Sequence, residues 1–82
     1  MTSAERRRSY GRAIREQREL RSMTLNDLAG LLSVSRSALS RYEKGEVALP
    51  EVLQHSVALI FGVDVDRLFP LGRVDDGLAR SA

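Results

Sequence analysis

The residues from Ser35 to Gly45, Ser-Arg-Ser-Ala-Leu-Ser-Arg-Tyr-Glu-Lys-Gly, separate by type when wound at about 100° per residue. Arg36, Ser37, Ser40, Arg41 and Lys44 fall within one arc of about 140°, and Ala38, Leu39 and Tyr42 fall opposite. The first face carries guanidinium, ammonium and hydroxyl groups and no acid, whereas a face shaped only by solubility mixes both signs of charge. Its chemistry is hydrogen bonding and charge pairing. In a major groove, Arg and Lys can bond guanine edges or phosphates while small residues allow close approach. Ser35 is placed to accept a free backbone N–H of the first turn. The pattern predicts a DNA recognition helix.

Other chemistries lack their residues. With no cysteine there is no disulfide framework, thiolate zinc site or cysteine nucleophile. His55 is the single histidine, which excludes a two-histidine metal site and reads as a helix-surface or partly packed residue. No Gly-x-Ser-x-Gly elbow or phosphate-cradling glycine loop occurs, so no catalytic residue, metal or cofactor is expected and the chain is not read as an enzyme. Tyr10, Tyr42, Phe61 and Phe69 lie on apolar stripes, leaving no aromatic platform for single-stranded nucleic acid.

The elements that must position the face follow from periodicity and caps. The 82 residues make one small domain with a modest core, near the size at which a partner subunit often adds stability. No signal peptide or apolar run long enough to span a membrane is present, and a cytoplasmic protein is expected. Residues 1–8, with Arg6-Arg7-Arg8, read as a basic arm, either a solvated, frayed end or a segment touching phosphate or a minor groove. The domain proper is set at 9–70. Tyr10, Ala13 and Ile14 predict a first helix over about 9–21, in which Gly11 is a mild cost. Thr24, followed three residues later by Asp27, predicts a capped second helix. Ser33-Val34-Ser35 then turns into the recognition helix.

A fourth helix starts near Pro50 and runs to about Phe61, with Leu49, Val52, Leu53, Val57, Ile60 and Phe61 as its stripe. Gly62 ends it. Asp64 caps a short fifth helix closed by Pro70, and 71–82 is expected to be a loose tail with a possible part in dimerisation. The fold class is therefore all-α. Net charge is only +2, but residues 1–21 carry +4 and residues 50–82 carry −2, a basic front and acidic back suited to a polyanion on one side.

These residues resemble the lambda-repressor-like helix-turn-helix family of the Cro or XRE type. The likeness is carried by Ile14-Arg15-Glu16 with Arg18, by Thr24 with Leu28-Ala29, by Val34-Ser35-Arg36-Ser37 through Arg41-Tyr42-Glu43-Lys44-Gly45, and by Phe61-Gly62-Val63 with Leu68-Phe69. It implies a compact five-helix domain over 12–69. Members are mostly sequence-specific DNA-binding dimers acting as bacterial or phage transcription regulators. The resemblance thus implies a regulator, repressor or controller protein, acting as a homodimer on a pseudo-palindromic double-stranded site.

Carried over by position, base contacts fall on Arg36, Ser37 and Arg41, with Ser40 adjacent. Phosphate contacts fall on Thr24 and Ser35 at helix starts, where free N–H groups favour an anion, with Lys44 and Arg6, Arg7 and Arg8 added from their charge. Arg18 and Glu43 are expected to form a structural ion pair, and Val65, Leu68 and Leu71 a dimer interface. Three positions depart from the family: Leu25 stands where Gln is frequent, so that one expected phosphate contact is absent, Ser33 where Gly is usual, and Gln17 where an apolar residue is usual. The loop 46–49 has no base, and Glu46 would be repelled by the DNA backbone; moderate affinity is expected. The alternative is an antitoxin-type interaction module that holds a partner protein through its acidic tail and the surplus apolar surface of Ala58 and Leu59. With no ligand-binding domain, no small-molecule effector is expected.

Overall fold

The computed structural model describes residues 2–70 as five helices: α1 Ser3–Leu20, α2 Leu25–Leu32, α3 Arg36–Lys44, α4 Glu51–Phe61 and α5 Val65–Leu68. No strand occurs among the described residues. The tail expected over 71–82 lies outside them.

The first helix begins well before the expected position. Thr2 Oγ1 accepts from Glu5 N–H at 3.1 Å while Glu5 Oε1 accepts from Thr2 N–H at 2.7 Å, a reciprocal cap that starts α1 at Ser3. The basic arm of residues 1–8 is thereby corrected: from Ser3 onward it is the opening of α1. Its Thr-x-x-Glu signal was present in the sequence.

The other termini follow their caps. Thr24 and Asp27 form a capping box at α2, and Ser35 Oγ accepts from Ala38 N–H at 3.0 Å at α3. Gly45 and Gly62 close α3 and α4 in the left-handed region, at φ 75° and 69°. Ser33, standing where the family has Gly, takes the same conformation at φ 59°. Its strain of ~1–2 kcal/mol is offset by the bonds that close the turn, Val34 N–H to Ala29 O at 3.0 Å and Ser33 N–H to Gly30 O at 3.2 Å. Pro50 is the N-cap residue of α4 and not within its first turn.

Ile14, Leu28, Leu39, Val57 and Phe69 are the largest fully buried side chains, each contributing ~1.5–3 kcal/mol by leaving water. The Tyr10 and Phe69 rings pack at 4.9 Å, and Tyr10 donates its hydroxyl proton to Phe69 O at 3.3 Å, joining α1 to the end of α5. The α4 stripe needs one correction. Val52 is 70% exposed, while Gln54 and Ala58 face inward, and Gln54 Nε2 donates to Leu49 O at 3.0 Å, which satisfies the buried amide.

Arg21, just beyond α1, lies 4.6 Å over the Phe61 ring and donates to Phe61 O at 2.8 Å and to Gln17 O and Oε1. The unusual Gln17 therefore orients the arginine that closes the end of α4.

Candidate nucleic-acid interface

The interface is built outward from a pinned helix. Leu39 is wholly buried, Ala38 and Tyr42 are half-buried, and on the other side Arg36, Ser37, Arg41 and Lys44 are exposed with Ser40 partly so. These five polar side chains line one shallow groove. The four residues expected to contact bases are thus brought together, with Lys44 one turn further along.

Two further residues line this groove that the helix pattern did not assign to it, Leu25 at the first position of α2 and Glu46 just past the end of α3. Neither could be placed from periodicity, because each belongs to a different element. Arg36, Arg41 and Lys44 form no ion pair among the described residues, so their charges face outward. The Ser37 hydroxyl lies 3.3 Å from Ser35 Oγ, which ties the first turn's two hydroxyls together.

The expected ion pair is present. Arg18 Nε and Nη2 donate to the two carboxylate oxygens of Glu43 at 2.7 and 3.0 Å, and Nη1 donates to Met23 O at 2.8 Å. The two side chains are only 12% and 7% exposed. The Glu43 hydrogen bonds raise the Arg18 pKa against the opposing effect of burial. One side chain thus joins α1, the α1–α2 turn and the end of α3.

Glycines permit this closeness. Gly11 is buried, and a Cβ there would overlap the carbonyl oxygens of Tyr42 and Glu43. Gly45 lies against Arg8, whose Cα would be 2.7 Å from an added Cβ. Gly11, a mild cost to α1 by propensity alone, is what lets α1 cross the end of α3.

The triple arginine is divided by the helix it belongs to. Arg7 Nε donates to Gly45 O at 3.1 Å, a cation at the negative end of α3, while Arg8 is exposed. Arg6 is half-buried. An arm free to enter a minor groove is not what residues 6–8 form. Thr24 and Ser35 stand at the starts of α2 and α3 as expected, their oxygens occupied as caps; the Thr24 hydroxyl proton is available to an anion, and the bond between Ser35 Oγ and Ser37 Oγ leaves one of their two hydroxyl protons available. At Thr24 that anion would also meet Asp27, whose pKa is lowered chiefly by the bond from Thr24 N–H.

Val65 and Leu68, expected at a dimer interface, are half-buried and pack against the core, while Leu71 lies outside the described residues. His55 is exposed, with Nε2 3.8 Å from Glu51. No group of acids and histidine that could hold a metal occurs among the described residues, and no helix there is long and apolar enough to cross a membrane.

Two helices joined by a three-residue turn, the second presenting an acid-free polar face, define a helix-turn-helix unit. A family model described as a helix-turn-helix domain matches residues 9–69, and the chain belongs to that family. The family likeness read from the sequence is borne out. The chain is 38% identical over 65 residues to a Methanoregula boonei protein named as an HTH-type transcriptional regulatory protein, a match covering 73% of this chain. It spans only 20% of that relative's length. Among solved structures it is similar to the clp gene regulator ClgR of Corynebacterium glutamicum, with TM-score 0.71, 32% identity and coverage of 77% of this chain and 82% of the other. It is also similar in fold to the restriction-modification controller protein C.AhdI of Aeromonas hydrophila, with TM-score 0.71, 24% identity and coverage of 77% and 96%.

Proposed function

We propose that this chain is a sequence-specific double-stranded DNA-binding transcriptional regulator that acts as a homodimer on a pseudo-palindromic operator. The observation that carries this reading is the α3 face, with Arg36, Ser37, Ser40, Arg41 and Lys44 along one open groove while Leu39 on the opposite side is fully buried. Each subunit lays α3 in a major groove, with half-sites ~10 bp apart on one side of the duplex. Arg36 and Arg41 bond guanine edges, with Ser37 and Ser40 beside them. Lys44, Arg8, the hydroxyls of Thr24 and Ser35 and the free first-turn N–H groups of α2 and α3 hold phosphates. Regulation is by occupancy of the site in the cytoplasm. Dimerisation through the α5 region, including Val65, Leu68 and Leu71, sets the half-site spacing.

Selection from random duplexes followed by footprinting tests the reading. A two-fold symmetric consensus with protection on one face is expected. Recovery of unrelated sequences, or equal loss of binding to selected and scrambled duplexes on Arg36→Ala, would overturn it.

A second reading, the antitoxin-type module, is favoured by Val52 and Leu59. They are 70% and 83% exposed and two turns apart on α4. A partner protein co-purifying from the native host and released by Leu59→Glu would support it; recovery of the chain alone would count against it.

A further inference from the structure

We infer that Leu25 is a specificity-determining residue of the interface, one that reads the 5-methyl group of a thymine. This rests on the reading of α3 as the helix that enters the major groove. Among the described residues, Leu25 is the one apolar side chain lining the groove formed by the α3 face and Glu46. It is half-buried, packing against the core on one side, so its place is set by its neighbours. As the first residue of α2 it is also fixed by the capping box between Thr24 and Asp27, which spans it.

An isobutyl group has no proton to give a phosphate and no lone pair to accept an amino proton. Pressed on a base edge, it removes water from whatever lies there. Against a guanine or adenine edge that leaves an acceptor or amino group without a partner, which is unfavourable. In the major groove the 5-methyl of thymine is the apolar group that gains by such contact. The neighbouring donors, Arg36 and Arg41, supply the polar half of the recognition. The groove is thus suited to a site in which a thymine adjoins a guanine.

The test uses the full chain and the duplex recovered by selection. Each thymine of a half-site is replaced singly by deoxyuridine, which removes the methyl and leaves every hydrogen-bonding group in place. At one thymine per half-site the unaltered protein should bind about fourfold more weakly, the effect of one methyl no longer taken from water. Leu25→Gln should bind the thymine and uracil forms of that position equally, and Leu25→Met, which keeps an apolar end, should retain the preference. The uracil scan on the unaltered protein stands even if a variant fails to fold.

A defined site in which no thymine responds, or in which the response persists in Leu25→Gln, overturns the assignment of Leu25 alone. A selection with no shared sequence overturns the reading of α3, and this inference with it.

Discussion

Gly11 of α1 lies directly against the main-chain carbonyl of Glu43, and no space remains there for a Cβ. Alanine at an ordinary helix position stabilises by ~1 kcal/mol relative to glycine. At Gly11 the overlap is with backbone, which cannot rotate away, so Gly11→Ala should destabilise by ~1–3 kcal/mol. Gly30, also helical, has nothing within 4 Å of an added Cβ, and Gly30→Ala should stabilise by ~0.5–1 kcal/mol. Urea titrations of the two variants check this, and equal shifts of the same sign would show that propensity alone governs both sites.

The Arg18–Glu43 pair should behave as a buried, two-point bond. Removing one partner, as in Glu43→Leu, leaves a mostly buried guanidinium uncompensated and should cost ~3–5 kcal/mol. The double variant Arg18→Met with Glu43→Leu should recover much of that loss, since a packed apolar pair needs no charge partner. A double-mutant cycle by thermal or urea unfolding measures the coupling; additive losses would mean that the pair does not act as a unit.

Acid should loosen the helix starts. Asp27 and Glu5 have their pKa values lowered in the fold, in each case first by the backbone N–H of the capping threonine. A lowered folded pKa gives stability that is present above the ordinary carboxylate range and lost as pH falls through the folded value. Asp27→Asn removes that dependence at α2. Its stability deficit should therefore be largest near about pH 7 and shrink toward about pH 2. A deficit independent of pH, followed by urea midpoints, would rule out the carboxylate's role.

Charges around the groove should separate into sequence-reading and sequence-blind groups. Arg41→Ala should cost ~1–3 kcal/mol and relax preference at particular base pairs. Lys44→Ala should weaken all duplexes alike and lower the log–log salt slope by ~0.9. Glu46 lines the same groove, where its carboxylate would repel phosphates on the proposed reading, and Glu46→Gln should tighten binding to selected and scrambled duplexes alike. Fluorescence anisotropy across a salt series distinguishes the three patterns.

Local signals determined most of the helix starts and stops. Thr24, Ser35 and Asp64 cap as their side chains require, Gly45 and Gly62 end helices, and the split faces of the Ser35–Gly45 stretch are readable from a 100° period, because each depends on residues within a turn or two. The Arg18–Glu43 pair was anticipated only through the family likeness, since its partners are 25 positions apart. What tertiary structure alone decided is where elements cross. Gly11 and Gly45 are points of close approach between α1 and the end of α3, and Arg7 turns onto the Gly45 carbonyl. Periodicity assigns a residue to a face of its own helix. It carries no information on which neighbouring backbone that face will meet, and so the exposed Val52 and inward Gln54 of α4 were settled only when the helices packed.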